Sequence, residues 1–320
     1  MPQLVESCGM FFFIPIPLLF RLPRKKHAFL FCFVSDLYYL CSINQYTQLL
    51  QYQKYTQMRV LIVNTSEKTG GAAVAANRLM DALNNNGVKA KMLVRDKETE
   101  DITVVSLPRS LKLQWNFLWE RWCVFWHLHF SRQRLWEIDM ATSGTDITKL
   151  REFQEADVIH LSWINQGMLS LKNIRKIIRS GKPVVWTMHD LWPATGICHY
   201  ARGCNRYASA CGNCPLLPNK GSKNDLSAKI FRRKKELYHR GAISFVTCSR
   251  WLEKQAKGSG LFVGQRITNI PNPIDTHVFC LQDQAEARLR AGLPADKHII
   301  LFVSQRVTDE RKGMRYFIEA

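Results

Sequence analysis

Short apolar runs alternate with amphipathic segments along most of the chain. Residues 59–64 have the length and continuity typical of a strand buried on both faces of a parallel sheet. Apolar positions at Ala75, Leu79, Ala82 and Leu83 then predict a helix that ends at Asn86-Gly87. This alternation predicts an α/β fold with a doubly wound parallel sheet. The other predicted elements are strands at 88–94, 156–163, 183–190, 243–248 and 299–303, with a helix at 169–178.

Residues 111–136 hold five of the nine tryptophans. Trp115, Trp119, Trp122 and Trp126 are spaced by four, three and four residues, so they share one face of a helix. One interpretation is a helix packed into the core or against a neighbour. The other is an interfacial surface that meets lipid or a lipid-linked substrate, assisted by nearby basic side chains. Those side chains are Lys112, Arg121, Arg132 and Arg134.

Residues 1–57 differ in character from the rest. Two apolar runs flank a basic stretch at 21–27, and neither reaches the roughly 18 clean residues of a membrane helix. The order of basic and apolar parts does not match a signal peptide, and no good cleavage site follows. We interpret them as an extension that precedes a natural start at Met58; an interfacial or membrane anchor is the alternative.

Length, composition and charge limit the classes of protein to which the chain can belong. A chain of 320 residues corresponds to about two domains, and 46% hydrophobic residues exclude a wholly disordered protein. A net charge of +19 attracts polyanions without choosing among nucleic acid, anionic lipid and phosphorylated small molecules. One hypothesis is therefore a basic nucleic-acid-binding protein with a zinc-binding loop, the cysteine-rich segment 198–214. No helix-turn-helix or aromatic RNA-binding signature accompanies the charge. Its best feature is the stretch 229–240, with Arg232, Arg233, Lys234, Lys235 and Arg240, which also fits a solvated helix face.

Two groups of residues suggest a binding site at one edge of the predicted sheet. Gly70 and Gly71 stand where the first helix begins, and a helix start offers free N–H groups and a positive dipole end to an anion. His189 and Asp190 close the strand 183–190, and ligands in open α/β sheets lie beyond such carboxyl ends. A tight turn and a structural histidine are the plainer alternatives.

Four cysteines, Cys198, Cys204, Cys211 and Cys214, fall in a loop rich in Gly, Asn, Pro and Ser. Four thiolates can close a tetrahedral zinc site, and such a filled site is structural because it leaves no position for water. A loop that buries little apolar surface needs an internal link of this kind. Disulfide or redox pairing, an iron–sulfur cluster and free thiols remain alternatives.

Taken in order, several motifs resemble glycosyltransferase family 4, the retaining GT-B enzymes, and the cysteine loop resembles a bacterial branch that makes surface polysaccharide. The resemblance covers roughly residues 58–320. It implies two Rossmann-like domains that face each other across a cleft, one for the acceptor and one for the nucleotide-sugar. The motifs are Gly70-Gly71, Asp157 to Trp163, Thr187 to Asp190, Cys248 to Trp251, Ile270 to Asp275 and Arg311-Lys312-Gly313.

The resemblance also implies roles for individual residues. His189 matches the family histidine beside the donor sugar at the reaction centre. Arg306 and Lys312 follow residues 299–303, where the family binds the donor diphosphate; fixed cations there stabilise the leaving phosphate. The family spacing is usually one residue shorter at Arg306. The other substrate-binding assignments are Gly70, Gly71, His160, Asp190, Asn272 and Asp275. No metal is implied for the chemistry itself.

The resemblance predicts a bacterial hexosyltransferase that acts on a lipid-linked or polysaccharide acceptor, in the cytoplasm or at the inner face of its membrane, without nucleic acid as a partner. We expect an extension at 1–57, an acceptor-side domain at 58–275, and a linker with a truncated second Rossmann-like domain at 276–320. The family's paired-glutamate motif does not occur before Ala320, and Ser162 stands where histidine is common. We therefore expect this chain itself to be inactive, and a non-catalytic fragment is the alternative.

Overall fold

The computed structural model describes residues 58–320 apart from 109, 240, 305 and 306. The interpretation of residues 1–57 and the assignment of Arg306 therefore lie outside the described residues. The chain divides into two units, the first ending at Pro273 and the second covering Ile274–Ala320.

Seven parallel strands form the sheet of the first unit, in the order β3-β2-β1-β4-β5-β6-β7. This confirms the predicted α/β class with a parallel, Rossmann-like sheet. The chain runs outward from β1 on one side and resumes with β4 on the other, so the strand order reverses between β1 and β4. In open α/β sheets ligands bind at such a switch point. The strands are β1 (Arg59–Val63), β2 (Lys89–Val94), β3 (Val104–Ser106), β4 (Val158–Leu161), β5 (Val184–Met188), β6 (Ile243–Thr247) and β7 (Arg266–Asn269).

Apolar cores cover both faces of the sheet. Leu61 and Val63 of β1 belong to one buried cluster, while Val60 and Ile62 belong to another, because successive strand residues point to opposite faces. This explains why the strands appear in the sequence as continuous apolar runs rather than alternating ones. The helices of the first unit are α1 (Gly71–Asn85), α2 (Leu111–His127), α3 (Arg151–Glu155), α4 (Leu171–Arg179), α5 (Leu226–His239) and α6 (Arg250–Lys257).

Local sequence signals set several helix boundaries. Ser110 caps α2 by accepting the Leu113 N–H, and Ser170 with Asn173 forms a capping box at the start of α4. Helix α2 ends at His127, before the end of the tryptophan-rich stretch, and His129 and Phe130 beyond it have φ angles of 50° and 64°. Among the helices that the structure describes, none is both long and apolar enough to cross a membrane.

The second unit corrects one prediction. Residues 299–303 form no strand, and Ile300, Leu301 and Val303 are exposed. A strand needs a neighbour for its backbone hydrogen bonds and its apolar side chains, and the described part of this unit has no strand to pair with. Its regular elements are α7 (Gln284–Arg290), a 3-10 turn at Glu310–Lys312 and α8 (Met314–Glu319).

Candidate functional site

The carboxyl ends of β1, β4 and β5 bring several predicted residues to one edge of the sheet. Gly70 caps α1 with φ +90°, a conformation that side chains with a Cβ rarely adopt. A Cβ placed at Gly70 or Gly71 would meet no atom within 4 Å, so the space beside this helix start is open. Asn64 continues the same edge, where its side-chain oxygen accepts the Trp163 N–H at 2.8 Å. The switch point therefore has an accessible backbone surface.

His160 lies inside the sheet rather than at its surface. Its imidazole is 6% exposed, and Nε2 lies 2.8 Å from the Thr187 hydroxyl, while Nδ1 has no hydrogen-bond partner. Burial, with a smaller effect from His189, lowers the pKa of His160 to about 3. The ring is therefore neutral at pH 7. Its substrate-binding assignment stays a prediction.

His189 follows β5 and faces the carboxyl edge. It is half-buried, and its Nε2 lies 3.1 Å from Oγ of Ser162, the residue that follows β4. Burial lowers the pKa of His189, and the nearby negative charge of Asp190 opposes part of that effect. The imidazole is therefore neutral near pH 7 and can donate or accept one hydrogen bond.

Asp190 is held by protein partners on both carboxylate oxygens. Oδ2 accepts from Trp163 Nε1 at 3.0 Å and from His199 Nδ1 at 2.7 Å, and Oδ1 accepts the Trp192 N–H at 2.8 Å. Burial alone would raise its pKa, but His199 and these hydrogen bonds leave the pKa of Asp190 below its ordinary value. Asp190 thus orients the loop beside His189, and its substrate-binding assignment stays a prediction.

Two buried carboxylates hold His199 between them. Nε2 of His199 lies 3.0 Å from Oδ2 of Asp139. The other oxygen of that carboxylate, Oδ1, pairs with Arg121 of α2. Burial disfavours a charged imidazole, yet Asp190 and Asp139 outweigh that effect and raise the pKa of His199 to about 9. A continuous network therefore joins α2 to the residue next to His189.

The four loop cysteines line one cavity of about 20 Å³. None of the four forms a disulfide, and Cys211 Sγ accepts the Gly196 N–H at 3.3 Å. Burial raises the pKa of Cys198 to about 11 and that of Cys211 to about 12. Among the residues that the structure describes, however, no group of three or more His, Cys, Asp or Glu side chains is arranged to hold a metal ion. Structural zinc therefore stays a prediction.

The remaining predicted residues lie elsewhere in the chain. Asn272 is exposed near the end of the first unit, and Asp275 is exposed in the second, where its Oδ1 accepts the His277 N–H at 2.9 Å. Lys312 is exposed on the 3-10 turn of the second unit, and its backbone N–H donates to Asp309 O at 2.8 Å. Their substrate-binding assignments stay predictions.

Two residues of this network lie outside every motif in the sequence, and two cations predicted at the surface are buried. Asp139 and His199 gave no motif signal beyond the position of His199 next to Cys198. Arg121 was grouped with the lipid-facing cations, but it is buried and tied to Asp139. Lys234 was counted in the basic face, but it is fully buried, and its Nζ donates to Trp192 O at 2.6 Å and Thr195 O at 3.1 Å.

Comparison with known proteins adds a family to this geometry. The family model described as Glycosyltransferase Family 4 matches residues 69–278, more than half of the chain. The chain is also 32% identical over 85 residues to "Putative colanic acid biosynthesis glycosyl transferase WcaC" of Escherichia coli strain K12. That match covers 25% of this chain and 20% of the relative, so the chain matches about a fifth of the relative's length. The parallel sheet, with polar residues at its carboxyl edge, agrees with this family. Because the family model matches more than half of the chain, the chain belongs to glycosyltransferase family 4.

Proposed function

We propose that this protein transfers a sugar from a nucleotide-sugar donor to a polysaccharide or lipid-linked acceptor, with retention at the anomeric carbon. Family membership supports glycosyl transfer, and the similarity to a colanic acid biosynthesis protein supports a polysaccharide product. The observation that carries the proposal is the neutral His189 beside Ser162 at the switch-point edge.

In this proposal His189 interacts with the donor sugar as its bond to the diphosphate breaks. A neutral imidazole can donate to or accept from a sugar hydroxyl without adding a charge next to an electron-poor sugar. The leaving diphosphate gains negative charge, which preorganised N–H dipoles and cations stabilise. The open helix start at Gly70 and Gly71 offers groups of the first kind to an anion.

Transfer from a panel of UDP- and GDP-sugars to a lipid-linked acceptor tests this function. The assay should use a chain that includes any sequence encoded beyond Ala320, with anomeric configuration of the product read by NMR. His189→Ala should lower kcat by at least about 100-fold with a smaller change in the acceptor KM. His239→Ala, at an exposed histidine that ends α5, is the matched control and should retain activity. Equal turnover with and without His189 would remove it from the mechanism.

The 320-residue chain should show no measurable transfer in the same assay. Lys312 lies on an exposed turn, and residues 299–303, which precede it, form no strand. Electrostatic stabilisation requires charges that are fixed before the reaction, and an exposed lysine on such a turn is not fixed. Clear turnover by this chain would show that the donor site has been assigned to the wrong residues.

A further inference from the structure

Helix α2 exposes the side that is most apolar. Trp115, Leu118, Trp119, Trp122 and Trp126 are each more than half exposed, as are Phe130 and Trp136 just beyond the helix. We call these seven residues the aromatic face. Large apolar side chains exposed together mark an interaction site more often than scattered ones do.

The opposite side of α2 is buried although it is largely polar. Glu120 is fully buried, and its carboxylate accepts the N–H groups of Met140 and Ala141, both at 2.7 Å. Arg121 pairs with buried Asp139, and Asn116 donates to the Thr145 hydroxyl at 3.2 Å. These contacts fix the rotation of the helix, because turning the aromatic face into the core would leave buried Asp139 without Arg121 and the Met140 and Ala141 N–H groups without an acceptor.

The exposed charges beside the aromatic face are mainly basic, and half-buried Glu137, which follows Trp136, is paired with Arg202. Between residues 107 and 136 the sequence has one acidic residue, Glu120, and that residue is buried. Lys112 and Arg132 are exposed, and Arg134 is half-buried at the edge. A protein partner rich in basic groups would be repelled here, whereas an anionic layer that also accepts aromatic rings would be attracted. Lipid headgroups above acyl chains have both properties, and tryptophan favours that interface.

We propose that the aromatic face seats the protein on a membrane surface that contains anionic lipid. The indole rings enter the boundary between headgroups and acyl chains, while Lys112 and Arg132 approach the phosphates. The buried side of α2 reaches Asp190 through Arg121, Asp139 and His199, so the seated helix is linked to the edge that carries His189. Presentation of that edge to a lipid-linked acceptor rests on the proposed function; the membrane contact does not.

Vesicle co-sedimentation of the 320-residue chain tests the contact. Vesicles of phosphatidylcholine with roughly one third phosphatidylglycerol should bind the chain more tightly than phosphatidylcholine alone. Replacing Trp119→Ser together with Trp122→Ser should weaken binding by about tenfold or more, because two interfacial rings are lost. Trp251→Ser is the matched control, since Trp251 is 62% exposed and belongs to α6 rather than to α2. Circular dichroism and melting temperature establish that each variant is folded.

Two outcomes would overturn the proposal. The first is a vesicle result that does not depend on the aromatic face: either the chain binds neither kind of vesicle, or the double variant binds them as tightly as the unchanged chain. The other is self-association: a dimer seen by size-exclusion chromatography that the double variant converts to monomer, without vesicle binding, would assign the aromatic face to a second copy of the chain. Quenching of tryptophan fluorescence by brominated lipid, reduced in the double variant and unchanged in Trp251→Ser, would support the proposal independently. A failed transfer assay would leave these binding results unaffected.

Discussion

At the residue scale, the surroundings of His189 determine its charge state. Its side chain is half-buried next to Ser162, and burial lowers its pKa from 6.5. The negative charge of the adjacent Asp190 opposes part of this effect, but burial dominates and the pKa of His189 stays lowered. Buried His160, its other titratable neighbour, is neutral too. The site therefore offers an uncharged imidazole at pH 7.

A pH profile of transfer checks this charge state. Because the pKa of His189 is lowered, protonation occurs only below pH 6.5, and activity that needs the neutral ring should persist down to that pH. We expect the acidic limb of kcat/KM to lie below pH 6.5, measured on the active chain with a saturating donor. A limb centred above that value would contradict a neutral His189 and would mean that a negative charge such as Asp190 outweighs burial.

His199 should contribute to stability more than an ordinary surface histidine. It stands between two buried carboxylates, with Arg121 as the other cation of the network. His199→Ala should lower the free energy of unfolding by about 3–5 kcal/mol, because it leaves buried charge without a partner. Urea denaturation measures this loss, and exposed His239→Ala should change stability by less than about 0.5 kcal/mol. Similar values for the two variants would refute the charged arrangement.

The sequence predicted which residues reach the site edge but not what holds them. His189 and Asp190 were placed correctly at the carboxyl end of β5, because an apolar run followed by polar residues indicates a buried strand and its end. Asp139 is 60 residues from His199, with no motif around it. Such partners depend on tertiary packing, which periodicity does not encode.

At the element scale, prediction succeeded where the pattern alone determines the environment. Continuous apolar runs became β1, β4, β5 and β6, buried among neighbours on both sides. The same pattern failed at residues 299–303, because apolar residues become a strand only where a neighbouring strand can pair with them. The tryptophan spacing of α2 gave the correct shared face but left open whether that face is buried, since a helical stripe points to a partner without identifying it.

The cysteine loop provides a metal prediction at this scale. We expect purified protein to carry about one zinc ion per chain, with the four thiolates drawn together around their shared cavity. Elemental analysis should find that zinc, and Cys211→Ser should reduce it and lower the melting temperature. Cys248→Ser, at a half-buried cysteine outside the loop, is the matched control.

The alternatives for this loop give different results in the same experiments. Protein without zinc, whose four loop cysteines all react with a thiol reagent after unfolding, would assign them as free thiols. Disulfides found by mass spectrometry would assign a redox pairing. Either outcome would exclude the structural metal.

At the scale of the whole molecule, the positive charge is less available than the sequence suggests. The net charge is +19, yet Lys234 is buried against Trp192 and Arg121 is buried against Asp139. Other cations pair with acids, as Lys176 does with Asp146 at 2.6 Å. The basic face of α5 retains exposed Lys229, Arg232, Arg233 and Lys235. A solvated basic face of this kind attracts polyanions through its charge alone and forms no specific binding site for them.

General electrostatic attraction and specific nucleic-acid recognition respond differently to salt. A fluorescent oligonucleotide should bind the chain only weakly, and raising the salt from about 50 to about 200 mM should remove most of that binding, because released counterions drive it. Fluorescence anisotropy across the salt series measures this. Arg232→Gln with Arg233→Gln should reduce the salt slope slightly and affect all base sequences equally, since phosphate contacts carry no sequence information. Tight binding that persists at the higher salt, and that prefers one base sequence, would favour a nucleic-acid partner over a charged surface without a specific ligand.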